Sequence, residues 1–286
     1  MTQVVINGLL VGASYALLAI GYTLVFGVMR LLTLAHGQVF MASGAIALIA
    51  ANAYGLPLVV AGLLAVTIGA LLSALTDVVS FRPVGYSRPI AAAVSTIGFA
   101  IVIERGIIAI RGDETAVPFL FEVNTDFRVG SVQVSLVEVA TFVLALVVMV
   151  LTSRFLQRSR WGIAMRAFSR DPEAVALLGV PVRRLAVRTL AVAGGLAGLS
   201  AFLWVARNRS VAPSDGFAVG LIALAVMTIG GIGSMRGAVI AGLTLGVVVN
   251  VLDYQGLRGW QAAVPWMLLL VVLLLRPQGL FGEADA

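Results

Sequence analysis

One histidine, no cysteine and no lysine narrow the chemistry open to this chain of 286 residues. A P-loop needs a lysine to reach the terminal phosphates of ATP, so nucleotide hydrolysis of that kind is excluded, and so is Schiff-base chemistry. Without cysteine there is no thiol nucleophile, disulfide or thiolate metal site. His36 alone leaves too few ligands for a transition-metal centre, so no metal is expected. Two groups of acids stand out. Asp113, Glu114, Glu122 and Asp126 share one polar stretch, with no H-E-x-x-H or paired-aspartate motif beside them, which argues against an enzyme. Asp77, Glu104 and Asp253, with Arg105, stand in or beside apolar runs, where an ionised group at the centre of a membrane helix costs about 2.5–3.5 kcal/mol. Glu104 and Arg105 point about 100° apart on a helix, so each needs a partner on another helix.

The densest set of signals lies at 157–184, QRSRWGIAMRAFSRDPEAVALLGVPVRR. Asp171 suits an N-cap, Pro172 the first helical position, and Glu173 the positive end of the helix dipole. Gly179 is placed to end the helix and Pro181 to prevent its resumption. A short helix over 172–178 follows, with Ala174, Val175, Leu177 and Leu178 as its apolar face. Such a face on a short capped helix serves as a docking surface or lies in the lipid interface.

These residues must be positioned by elements that live in lipid. The chain is 60% hydrophobic and 11% charged, with a mean hydropathy of +1.07, whereas soluble domains carry about 25% charged residues. In lipid every backbone group must pair within its own segment, so the elements are helices. Nine apolar stretches approach the roughly 20 residues a bilayer requires: 4–28, 31–53, 56–79, 88–110, 133–153, 185–207, 217–234, 237–256 and 260–275. The expected architecture is an all-α polytopic bundle of eight or nine spans, forming one domain over 1–286, with a re-entrant segment near 31–40 or 217–256 as the source of the uncertainty in count. The first apolar stretch, from Val4 to Met29, is too long for the core of a cleaved signal peptide and reads as the first span. Arg154, Arg158, Arg160, Arg166, Arg170, Arg183 and Arg184 mark the segment between the fifth and sixth stretches, which includes 157–184, as cytoplasmic; Arg82, Arg88, Arg236 and Arg276 fall on the same side, and the acidic loop 111–132 on the other. The N-terminus is then outside and the C-terminus inside. The net charge of +6 belongs to this bias, since the arginines lack the interleaved aromatics of a nucleic-acid binder. Glycine pairs at Gly8/Gly12, Gly194/Gly198, Gly233/Gly237 and Gly242/Gly246 predict close helix packing. Residues 19–46 and 223–247 echo each other, each placing a glycine-rich break and an arginine between apolar stretches, as in transporters built from repeats.

The pattern W-G-x-A-x-R-A-x-x-x-D-P-E-A-x-x-L-x-G-V, from Trp161 to Val180, resembles the coupling loop of LivH-type permeases, the branched-chain amino acid family of ABC importers. The opening N-G-L-x-x-G-x-x-Y-A-L-x-A-I-G from Asn7, F-G-V-M-R from Phe26, Arg82–Pro83, G-G-I-G-S-M-R-G from Gly230 and R-P-Q-G-L-F-G from Arg276 fit in order and spacing over nearly the whole chain. The resemblance implies that Gly162, Arg166, Ala167, Asp171, Glu173, Ala174 and Gly179 shape or contact the cleft of an ATPase. It implies two ATPase subunits, a second related permease, an extracytoplasmic solute-binding protein, and a bacterial cytoplasmic-membrane location. No cofactor is expected on this chain, because ATP acts on the partner. Where the family carries N-F-A-H-G, this chain has Thr33-Leu34-Ala35-His36-Gly37, a departure at Thr33 and Leu34.

The implied cargo is branched-chain or other hydrophobic amino acids, with urea, short amides and other small acids as the alternative within the class. The expected solute path uses helix termini at His36, Gly37 and Gln38 and at Gly230, Gly231 and Gly233, where free N–H groups can meet a carboxylate. His36 is read first as a hydrogen-bonded structural residue. An ion-coupled secondary transporter is the reading from another class, and it requires several acids facing one cavity.

Overall fold

The computed structural model describes residues 1–86, 88–111, 117–118, 126–129 and 132–282. The chain is a bundle of membrane-type helices, as expected. In order these are α1 (Thr2–Met29), α2 (His36–Tyr54), α3 (Leu58–Thr76), a π-helical stretch (Asp77–Phe81) running into α4 (Arg82–Val84), and α5 (Pro89–Arg111). Then come α6 (Leu136–Arg158), α7 (Arg160–Arg170), α8 (Pro172–Leu177), α9 (Val182–Asn208), α10 (Asp215–Gly230), α11 (Met235–Tyr254) and α12 (Val264–Leu275). Two small antiparallel ladders accompany them: β1 (Val117–Pro118) pairs with β4 (Ser210–Val211), and β2 (Asp126–Val129) with β3 (Val132–Ser135). Most of the loop 111–132, with Asp113, Glu114 and Glu122, lies outside the described residues.

Among the described residues six helices are long and apolar enough to cross a membrane, or seven if the bent pair α6–α7 is one span. The stretches 217–234 and 260–275, expected as spans, are shorter helices of 16 and 12 residues. At 1.5 Å per residue these reach about 24 and 18 Å, less than a hydrocarbon core of about 30 Å. The expected span at 31–53 also loses its beginning, because residues 30–35 are not helical.

Helix α1 is the axis of the core, with all of Ala13–Val25 buried. It packs antiparallel to α11 through glycine faces: Cβ atoms at Gly8 and Gly12 would overlap the backbone at Gly246–Val247 and Gly242–Leu243. Helix α9 also runs antiparallel to α1. Gly21 lies against the Ala193 carbonyl, and the Ser200 hydroxyl donates to the Ser14 carbonyl at 2.7 Å. On its other side α9 meets α3, where Gly194 and Gly198 lie on the backbone of Gly69 and Ala65. With lipid tails as apolar as leucine, such close backbone approach supplies the packing that holds helices together. The predicted glycine pairs therefore work inside the chain, except that Gly237 packs on Gly230 while Gly233 faces open space.

One device occurs twice. Helix α1 ends at Arg30 (φ 51°), whose N–H donates to the Phe26 carbonyl, and α9 ends at Arg209 (φ 59°), whose N–H donates to the Val205 carbonyl. A left-handed arginine closes the helix and sets a cation at its negative end. After each arginine the chain turns back as a short non-helical segment and starts a new helix at His36 or Asp215. Because α1 and α9 are antiparallel, the two returns enter from opposite ends of the bundle. The same helix, return and helix thus recur in α1–α2 and α9–α10.

Candidate functional site: a crossing of two helix starts and a surface elbow

The first return segment is buried at Leu31, Thr33 and Ala35. Buried irregular backbone needs partners, and the Leu34 N–H donates to the Thr96 hydroxyl of α5 at 3.0 Å. It delivers α2 beside Tyr22, about 11 Å short of the end of α1. His36 is 1% exposed. Its ring meets the Tyr22 ring edge-on at 4.7 Å and leans on Gly21, where a Cβ would strike Nε2. Both imidazole nitrogens lack a hydrogen-bond partner, so the structure does not give His36 the hydrogen-bonded role expected of it. The Tyr22 hydroxyl sits against Gly220, where a Cβ would lie 3.3 Å from it.

Gly37 is where the two helix starts touch. A Cβ there would overlap the Gly216 carbonyl and lie 2.8 Å from the Gly220 Cα. Gln38 is fully buried. Its Nε2 donates to a Glu104 carboxylate oxygen of α5 at 3.1 Å, and its Oε1 points at Gly216 without a hydrogen-bond partner. Leaving such an acceptor unmatched costs about 1–3 kcal/mol. Neither α2 nor α10 has a side-chain N-cap. The Asp215 carboxylate is turned backwards, accepting from the Ala212 N–H at 2.8 Å.

Gly230, Gly231 and Gly233 do not join this crossing. Gly230 lies about 21 Å farther along α10 than Gly216. There the chain's C-terminal segment closes over the helix end: the Leu280 N–H donates to the Ile229 carbonyl at 2.9 Å and the Phe281 N–H to the Gly230 carbonyl at 3.0 Å. A Cβ at Gly231 (φ 104°) would overlap the Gly282 amide nitrogen. The next helix is capped by Ser234, whose side chain accepts from the Gly237 N–H at 3.1 Å. The structure thus brings His36, Gly37 and Gln38 together with Gly216 and Gly220, two glycines that no sequence motif marks out.

The lone acids find partners within the chain. Asp77 is fully buried at the start of the π-helical stretch. It accepts from Arg82 Nε and from the Tyr86 hydroxyl, both at 2.6 Å. Burial, and then the bond to Asp77, raise the Tyr86 pKa above its ordinary value. Glu104 turns inward to Gln38 rather than toward the outer interface. Asp77 and Glu104 belong to separate groups, so the described residues do not join them in a relay.

At the opposite pole of the function lies 157–184. Helix α6 breaks after Arg158 and α7 leaves it at 75°. Ser159 caps α7, its side chain accepting from the Gly162 N–H at 2.9 Å. Gly162 sits on the end of α6, where a Cβ would overlap the Leu156 carbonyl. Arg166 reaches back and donates to the Leu156 carbonyl and, at 3.2 Å, to that of Gln157, so one guanidinium closes two open carbonyls at a helix end. Trp161 stacks edge-on against Phe155 at 5.8 Å. Helix α7 is absent from the expected elements, although Ser159 followed by Trp161, Ala164, Met165 and Phe168 is a cap before an apolar helical stripe.

The next helix is the expected one, one residue shorter at Pro172–Leu177. Asp171 Oδ1 accepts from the Ala174 N–H at 2.9 Å, the Asp171 N–H donates to the Ala167 carbonyl at 3.0 Å, and Gly179 is left-handed at φ 78°. Val175 turns inward, while Leu177 and Leu178 are 89% and 82% exposed. The side chain of Glu173 lies outside the described residues. Gly162, Arg166, Ala167, Asp171, Ala174 and Gly179 all build the elbow, and the leucines form its outward face.

Residues 4–273 match the family described as the branched-chain amino acid transport system permease component. The chain is similar to the high-affinity branched-chain amino acid transport system permease protein BraD of Pseudomonas aeruginosa, with 32% identity over 99% of this chain and 96% of that protein. It is similar to LivH of Escherichia coli (strain K12), a permease protein of the same description, with 30% identity over 99% and 96%. The permease LivM of that organism shares 27% identity over 93% of this chain and 67% of its own length.

Proposed function

Because the chain belongs to the family of branched-chain amino acid transport permease components, we propose that it forms the solute path of an ATP-driven importer for branched-chain amino acids in the bacterial inner membrane. It is a transport subunit and not itself an enzyme. Two ATPase subunits, a second permease and an extracytoplasmic binding protein complete the machine. Similarity to LivM as well as LivH favours a related, non-identical second permease. ATP is bound by the partner, and this chain needs no cofactor.

We read the chain as nine passes, with the short helices α10 and α12 completed by the non-helical segments before them. The N-terminus is outside and the arginine-rich elbow and C-terminus are inside. The antiparallel order of α1, α9 and α11 supports this reading.

The observation that carries the coupling role is the outward pair Leu177 and Leu178 on a helix braced at both ends. A rigid apolar knob fits a groove on a partner, and bracing lets it transmit force. Affinity purification of the tagged chain from mild detergent, with mass spectrometry, tests it. A P-loop ATPase is expected to co-purify with the wild type and to be lost from Leu178→Arg and Glu173→Arg. Retention of the ATPase by both variants would remove the elbow from the interface. A single-chain preparation from several detergents would make the ion-coupled carrier the reading to pursue.

A further inference from the structure

The crossing of α2 and α10 divides hydrogen-bonding capacity between two walls. The α2–α5 wall carries acceptors: the unpartnered Gln38 Oε1, fully buried and aimed at the start of α10, and the Glu104 carboxylate held by Gln38 Nε2. The α10 wall carries donors, the first-turn N–H groups of a 16-residue helix without a side-chain cap, at the positive end of its dipole. Asp215 does not quench them, since its Oδ2 is held by the Ala212 N–H behind the helix. In this structure the walls are closed on each other, with the backbone of Gly37 against Gly216 and Gly220. Separating them by the width of a small solute sets acceptors opposite donors.

We propose that Gln38, Glu104 and the first turn of α10 form a binding site for the zwitterionic head of an α-amino acid. The ammonium lies between Gln38 Oε1 and Glu104, and the carboxylate meets the amides at Gly216 and Phe217. The inference rests on the importer reading, and it selects amino acids over urea and amides, which lack the paired charges.

The test uses the complete importer in lipid, with L-leucine as probe. Glu104→Gln is expected to lower leucine uptake by about tenfold or more, the loss of a hydrogen bond to a charged group, in a complex that still assembles. Without the binding protein, leucine is expected to raise the melting temperature of the wild-type complex. Equal concentrations of 4-methylpentanoate, which lacks the ammonium, or 3-methylbutylamine, which lacks the carboxylate, are expected to leave it unchanged. Should Glu104→Gln fail to assemble, Gln38→Leu, which retains the acid, carries the same comparison. Wild-type uptake by the variant, equal stabilisation by either analogue, stabilisation by none of the three, or transport of urea in place of leucine overturns the site. No solute uptake by the wild-type complex would overturn the importer reading itself.

Discussion

The crossing and the elbow are built by opposite means. At the elbow the capping groups are answered by near neighbours in sequence: Ser159 by Gly162, Arg166 by Leu156 and Gln157, Asp171 by Ala174; the Trp161 indole N–H alone is buried there without a partner among the described residues. Leu177 and Leu178 remain outward, among exposed arginines. At the crossing the partners are distant, Gln38 with Glu104 and Leu34 with Thr96, and buried polar atoms of His36 and Gln38 remain unmatched. A structure closed by short-range caps behaves as a rigid body. A buried polar contact left partly unmatched is a place where a second arrangement can compete with the first. The contrast fits a division of labour in which the elbow moves as a unit and the crossing opens.

The largest effect expected from breaking this contrast is at Gly37. Valine there drives a side chain into the Gly216 carbonyl and the Gly220 Cα, backbone atoms that cannot turn aside. Overpacking of this kind costs about 3 kcal/mol. Gly37→Val is therefore expected to abolish uptake and to lower the melting temperature of the purified complex. Gly98→Ala, at a position facing open space, is the matched control and should change neither. Full uptake by Gly37→Val would mean that the two helix starts need not touch at any stage.

The same contrast decides what is legible in the amino-acid sequence. Asp171, Pro172, Glu173, Gly179 and Pro181 announce α8 because capping is a local matter of side chain and backbone within a few residues. The apolar runs announce the bundle because lipid demands self-paired helices. The crossing stays hidden apart from His36, Gly37 and Gln38. Its other half, Gly216 and Gly220, is joined to them only by the fold, and nothing in residue spacing reports a contact of that range. Hydropathy also joins residues 31–35 to α2, since a buried return segment is as apolar as a helix. The left-handed arginines that open both returns leave no hydropathy signal, although Pro213-Ser214-Asp215 carries the turn and helix-start chemistry for α10.

A smaller effect is expected at Arg166. Alanine removes the donors that close Leu156 and Gln157, and the side chain is exposed, so water replaces part of the loss. Arg166→Ala should cost about 1–2 kcal/mol. Its signature is uncoupling: ATP hydrolysis by the assembled complex persists while uptake falls. Arg166→Lys should restore little, because a single ammonium lacks the planar fork that spans two carbonyls. Rescue by lysine would show that charge alone, and not the 75° bend, transmits the stroke.

The smallest effect, and the sharpest for the comparison, belongs to Asp171. Its carboxylate satisfies one amide of a six-residue helix, and removing such a cap costs about 1 kcal/mol. A helix this short has almost no stability of its own, so the loss is confined to α8. Asp171→Ala should leave the melting temperature of the bundle unchanged while speeding hydrogen exchange at Ala174 and Val175. Co-purification of the ATPase should weaken, because Leu177 and Leu178 then present a fluctuating surface whose ordering must be supplied on binding. Asp171→Asn retains a capping oxygen and should recover most of the affinity. An Asp171→Ala chain that frays at α8 and still holds its ATPase at wild-type strength would show that the partner, and not the cap, shapes the knob, and the elbow would then owe its rigidity to the interface.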